Sequence, residues 1–176
     1  MKHSLQAALL VALQLAILVS IAALPLRTLA RGEVIRLMVE PLDPRDLFRG
    51  DYVVLRYTLL SSIPSSHPIA SGQTFRPGDT IYVSLNAAPM IEWPSPLALP
   101  KSLSAIHPGD LAIRGKVVRA RSDSLDVEYG IESFFVPQGR GREIEQARTG
   151  ISAEVAIDSR GRAVLRRLFV GQTPFP

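Results

Sequence analysis

Three carboxylates, a guanidinium and a phenol crowd into one short stretch of this chain: Asp43, Arg45, Asp46, Asp51 and Tyr52. They lie in Pro41-Leu-Asp-Pro-Arg-Asp-Leu-Phe-Arg49 and the following Gly50-Asp-Tyr-Val-Val-Leu-Arg-Tyr57. If these groups converge, they bind something polar, and the three acids alone suit a hard cation such as calcium, although the regular spacing of a calcium loop is missing. The same residues also make good turn chemistry. Asp43 can cap a one-turn helix, Pro44 suits its first position, Asp46 stands where a capping box places its acid, and Gly50 can close the turn in a left-handed conformation. Capping accounts for the acids without a ligand. In a strand opening at Tyr52, side chains alternate, so Val53, Leu55 and Tyr57 share one face and Tyr52, Val54 and Arg56 the other. Leu55 and Tyr57 are therefore expected in the core. The candidate surface comprises Asp43, Arg45, Asp46, Gly50, Asp51, Tyr52, Leu55 and Tyr57.

Other chemistries find less support. Pro44 and Gly50-Asp51 echo the arrangement in signal peptidase I, but no serine occurs between Ser20 and Ser61 to act as nucleophile. That chemistry also needs a desolvated lysine as base, and beyond Lys2 the chain has only Lys101 and Lys116. His67 and His107 each precede proline, and no G-x-S-x-G elbow accompanies them. Gly139-Arg-Gly-Arg-Glu143 lacks the Gly-Lys-Ser/Thr ending of a phosphate loop. Cysteine is absent, which removes disulfides, thiol nucleophiles and zinc knuckles. The expectation is a protein that is not an enzyme and carries no cofactor or metal.

What must position these residues begins with a hydrophobic segment. Leu5 to Leu26 carries no charge, and at about 1.5 Å rise per residue it can cross a hydrocarbon core of about 30 Å. A cleaved signal peptide is the alternative, but the apolar run is longer than a usual h-region. The chain divides into residues 1–30, an uncleaved anchor, and residues 31–176, a β-rich domain with the motif at 50–57. A short N-terminus ahead of a long domain favours N-in insertion with the domain exported, although Arg27 and Arg31 blunt the positive-inside bias. The pI of 9.8 does not point to nucleic acid. With Lys2 and Arg27 set aside, 18 basic residues face 16 acidic ones, a nearly balanced domain.

Past the anchor, strand-like runs cover Val34–Val39, Tyr52–Leu60, Ile81–Leu85, Leu111–Val118, Ser124–Tyr129, Ser133–Val136, Ile151–Ile157 and Ala163–Val170. Asp158-Ser-Arg-Gly161 between the last two is a hairpin signal. Gly141 to Arg148 has room for two helical turns. Residues 61–76 and 86–108 read as Pro/Ser-rich loops, the second holding Trp93, for which a buried core position is expected. Gly-Asp recurs at 50–51, 78–79 and 109–110, each time before a strand-like run, as turn chemistry requires. Arg114, Lys116, Arg119 and Arg121, with Arg160, Arg162, Arg166 and Arg167, form either an ion-paired solvated face or a surface for anionic headgroups. The fold class expected is an all-β domain, barrel-like or sandwich, preceded by one N-terminal transmembrane helix.

Gly50, Asp51, Tyr52, Leu55 and Tyr57 fill every specified position of a G-D-Y-x-x-L-x-Y signature, and the segment resembles the GDYXXLXY family of membrane-anchored bacterial proteins. Tyr129-Gly-Ile-Glu-Ser-Phe-Phe-Val-Pro-Gln-Gly-Arg-Gly-Arg-Glu-Ile-Glu145 is similar to a second stretch of that family. The resemblance implies a single-pass protein of the inner membrane, associated with multi-span membrane proteins, and transfers no catalytic residues. An accessory subunit of an envelope complex, with a multi-span membrane protein as partner, is the reading that follows. A ligand-binding envelope module using the Asp43–Tyr57 surface is the alternative, and a hydrolase the third.

Overall fold

A computed structural model describes residues 2–42, 52–57, 60–64, 74–85, 101–105, 110–136 and 150–175. Asp43, Arg45, Asp46, Gly50, Asp51, Trp93, both loop histidines and the expected helix at 141–148 lie outside the described residues.

The chain opens with helix α1 (Lys2–Arg31), whose span Leu9–Arg31 has a mean hydropathy of 2.5 and is long and apolar enough to cross a membrane. A signal sequence meets the same criterion. Among the described residues ten strands follow: β1 (Glu33–Leu42), β2 (Tyr52–Tyr57), β3 (Ser62–Pro64), β4 (Thr80–Leu85), β5 (Leu111–Ala120), β6 (Ser124–Glu128), β7 (Ser133–Phe135), β8 (Ile151–Ile157), β9 (Ala163–Val170) and β10 (Thr173–Pro174). They build two antiparallel sheets, of order β10-β9-β8-β1-β2-β7 and β3-β6-β5-β4. The fold is all-β behind one apolar helix, as the periodicity predicts.

Strand β1 holds the larger sheet together by dividing its length. Glu33–Met38 pair with β8, whereas Val39–Leu42 pair with β2. This stagger coils the sheet into a half-barrel around one core shared with the smaller sheet. Leu37, Leu55, Tyr57, Ile81, Ile113 and Ile151 are fully buried there. Alternation is plain on β5, where Ile113, Gly115 and Val117 point inward and Arg114, Lys116 and Val118 outward. Gly115 is required by packing: a Cβ there would sit 2.4 Å from Val127 Cγ1 and 2.8 Å from the Tyr129 ring.

Two short strands differ from the expectation. Ser62–Pro64 falls inside the expected loop 61–76, yet it pairs with β6, and Ile63 is buried in the core. Thr173–Pro174 pairs back onto β9. Ser62–Pro64 is a strand because β6 lies beside it, a long-range cause that local propensity does not encode, whereas Thr173–Pro174 is the short return of a local turn at Gly171, which has φ +62°. The Pro77-Gly78-Asp79 turn is as expected. Gly78 has φ +95°, Asp79 N–H donates to Arg76 O at 3.0 Å, and Asp79 Oδ2 accepts from Arg76 N–H at 3.0 Å.

Candidate functional site: the motif crossing and the base of the helix

The described motif residues, Tyr52–Tyr57, form β2. Val53, Leu55 and Tyr57 are buried on one face of β2, while Val54 is half-buried and Arg56 exposed. The Tyr52 backbone pairs with Phe135. Leu55 and Tyr57 are thus core residues, Tyr52 is placed through its backbone pairing, and Asp43, Arg45, Asp46, Gly50 and Asp51 lie outside the described residues.

What the motif does structurally becomes visible at its end. In the larger sheet β2 ends at Tyr57, and Leu60–Ser61 lead into β3 of the smaller one. Immediately after Tyr129 the chain makes the reverse passage, from β6 through Ile131–Glu132 to β7. Each tyrosine is tied to the other crossing: Tyr57 Oη donates to Ile131 O at 2.7 Å, and Tyr129 Oη donates to Leu60 O at 2.8 Å. Two backbone bonds complete the exchange, Leu55 N–H to Glu132 O at 2.7 Å and Val127 N–H to Ser61 O at 3.0 Å. Tyr57 N–H donates to Ser61 Oγ at 3.0 Å, and Tyr129 N–H to Glu132 Oε1. The motif and the second stretch similar to the family, 129–145, therefore meet as one latch between the two sheets. Sequence reasoning assigned Tyr129 and Glu132 no role. A tyrosine closing each of two strands was the available signal.

Burial, and after it the nearby Glu132 charge, push both phenols above the ordinary tyrosine range. The folded state then keeps protons that the unfolded chain releases above about pH 10. Their contribution is complete below that pH and is lost as the pH climbs beyond it, by about 1.4 kcal/mol per unit for each tyrosine. Urea titrations of the full chain in detergent should show this alkaline decline, and Tyr129→Phe should flatten it by about half on the same reckoning. An unchanged slope in that variant would contradict the assignment.

Beside the latch, β2 faces β5 and β6 across a cleft of about 420 Å³ bordered by Arg56, Arg119, Arg121, Asp126, Glu128 and Glu132. Asp126 is already occupied, since Arg121 lies 3.0 Å and Arg119 3.8 Å from its carboxylate. Arg166 likewise pairs with Glu154 at 3.3 Å. The eight basic residues expected as one face are divided between the β5–β6 and β8–β9 hairpins, and among the described residues three of them are ion-paired. Lys101 is half-exposed and engaged with Asp79 at 2.6 Å and Thr74 O at 2.9 Å. This contact holds the Asp79 carboxyl below its ordinary range. Lys116 is exposed. Neither lysine has the desolvated setting of a general base.

A second site forms where α1 meets the β8–β9 hairpin. Asp158 Oδ1 accepts from the N–H groups of Arg160 and Arg162, each at 2.9 Å, and Oδ2 accepts from the buried Thr28 hydroxyl at 3.3 Å. One carboxylate thereby closes the hairpin and ties the helix to it. Gly161, at φ +76°, donates its N–H to Asp158 O at 2.9 Å and accepts from Arg114 N–H at 2.8 Å, joining the hairpin to β5 of the other sheet. The hairpin matches the turn signal; its capture of the helix was not anticipated.

The model of GDYXXLXY proteins matches residues 14–168, a span that takes in most of α1, the motif, both crossings and the hairpin. The chain belongs to the GDYXXLXY family. No curated protein and no solved structure matches it significantly. Within a GDYXXLXY protein, the described motif positions Leu55 and Tyr57 are core and latch residues. Among the described residues, no three His, Asp or Glu side chains gather where they could hold a metal ion.

Proposed function

We propose that this GDYXXLXY protein is a non-catalytic, single-pass accessory subunit of a bacterial envelope complex. Helix α1 serves as an uncleaved anchor in the inner membrane, N-terminus inside and β domain exported, and docks against a multi-span membrane protein. The observation that carries this reading is the surface of α1. Its most apolar window is wholly unburied, and Leu9, Leu13, Ile17 and Leu24 are each at least half exposed. A surface of that kind needs lipid or another helix to cover it. Ala12, Ala16 and Ser20 recur at a four-residue spacing, which keeps them on one face and suits close helix–helix approach in a membrane.

The test exchanges the anchor. Full-length protein is purified from native membranes in mild detergent beside a chain in which residues 5–24 are replaced by a leucine-only span. The wild type should bring down a multi-span membrane protein, and the exchanged chain should lose it while its β domain stays folded. A solitary monomer in both cases would overturn the reading. The second reading, a module that binds a polar ligand at the motif, is favoured by Arg56, which borders the 420 Å³ cleft and has no ion-pair partner among the described residues. In the same experiment it predicts association that survives the anchor exchange and is abolished by Arg56→Ala.

A further inference from the structure

The junction of α1 with the hairpin encloses a cleft of about 330 Å³, bordered by Leu24, Arg27, Arg31, Asp158, Arg160 and Arg162. Its charge is lopsided. Four guanidinium groups surround one carboxylate, and that carboxylate already accepts three hydrogen bonds from Thr28, Arg160 and Arg162. None of the four arginines forms an ion pair among the described residues. Among the described residues the buried Nε of Arg162 has no hydrogen-bond partner. A buried donor without an acceptor is costly, so an acceptor brought from outside would be strongly favoured. Arg31 also borders a neighbouring cleft that holds Glu33 and Asp110, so Arg27, Arg160 and Arg162 supply most of the uncompensated charge.

The position of the cleft decides what the acceptor is. It lies at the end of the apolar span, where Leu24 and Leu26 are still at least half exposed and Arg27 begins the polar flank. An occupant must offer an anion at one end and hydrocarbon at the other. Guanidinium groups recognise phosphate oxygens with paired N–H donors.

We propose that this cleft binds the phosphate headgroup of an anionic phospholipid, its acyl chains continuing along the Leu24 end of α1. The proposal rests on the reading of α1 as a membrane span. The site would fix the domain against the bilayer surface, because Arg160 and Arg162 belong to the hairpin while Arg27 belongs to the helix.

The experiment uses the full chain in a neutral detergent, titrated with short-chain phosphatidylglycerol, short-chain phosphatidylcholine or inorganic phosphate, with bound lipid counted by native mass spectrometry. Phosphatidylglycerol should bind saturably at one site, and the other two should bind more weakly by about tenfold. Removing two charges, in Arg160→Gln with Arg162→Gln or in Arg27→Gln with Arg31→Gln, should each weaken phosphatidylglycerol binding by about tenfold or more. The helix pair keeps the test decisive should the hairpin pair disturb folding. Equal binding of the two lipids, or affinity unaffected by the helix pair, would overturn the proposal. Inorganic phosphate binding as tightly as phosphatidylglycerol would make this a free-anion site and overturn the lipid assignment. The intact mass of protein extracted from membranes is read separately: loss of α1 there would end the anchor reading, whereas absent lipid binding by the intact chain would end only this one.

Discussion

Tyr57→Ala should destabilise the β domain by about 3–5 kcal/mol, the cost of truncating a buried aromatic side chain. Tyr57 is fully buried where the larger sheet hands the chain to the smaller one, and its hydroxyl satisfies the Ile131 carbonyl of the reverse crossing. Truncation leaves both a cavity and an unmet acceptor. Against a typical stability of about 5–15 kcal/mol, such a loss brings a domain of this size close to unfolding. Tyr57→Phe keeps the ring and removes only the hydrogen bond, so about 1–2 kcal/mol is expected. Urea unfolding of the full chain in detergent, followed by circular dichroism at the β-sheet band, measures both. A Tyr57→Ala midpoint equal to wild type would show that the latch contributes nothing.

Gly161→Val should cost about 2–4 kcal/mol, by a different mechanism. At φ +76° a branched residue is strained whatever space surrounds it. Space is also lacking, since a Cβ would stand 3.1 Å from both Ala112 O and Arg114 N. These are backbone atoms of a central strand and yield little. The substitution also threatens the Arg114–Gly161 hydrogen bond, which joins the hairpin to the smaller sheet. Because Asp158 of the same hairpin holds Thr28, the helix should loosen with it. A protease-accessibility assay at the Arg27–Arg31 segment would report this, with faster cleavage in Gly161→Val than in wild type. Unchanged cleavage together with an unchanged unfolding midpoint would contradict the tie.

Much of this architecture is legible in the sequence, for reasons that differ by element. Alternation in Tyr52–Tyr57 correctly assigns Leu55 and Tyr57 to the core and puts Val53 on their face, because a two-residue period with one buried face leaves no other register. The Pro77-Gly78-Asp79 and Asp158–Gly161 turns are readable because each depends on a local positive φ and a side chain that caps its own neighbours. The latch is not readable in this way. Its tyrosine bonds join residues 74 and 69 positions apart, and no local preference encodes such a meeting. The basic residues illustrate the same limit. Arg119 and Arg121 meet Asp126 across a hairpin, whereas Arg160 and Arg162 join Arg27 from the far end of the chain. Their sequence spacing treats them as one face, but the sheets carry them to separate places. For the motif itself, capping logic covers Asp43, Asp46 and Gly50, while the described residues begin only at Tyr52.

The family motif ends in a folding device, and the associations proposed for the protein are assigned to its apolar helix. The direct measurement compares full-length wild type, Tyr57→Phe, Tyr129→Phe and the double variant, recording for each the urea midpoint and the amount of multi-span membrane protein that co-purifies per folded molecule. The account predicts a fall in stability for each single variant, a smaller additional fall in the double because both tyrosines serve one latch, and undiminished co-purification throughout. Unchanged midpoints with co-purification abolished would contradict it, because the motif's last tyrosine would then be a contact residue and not a structural one.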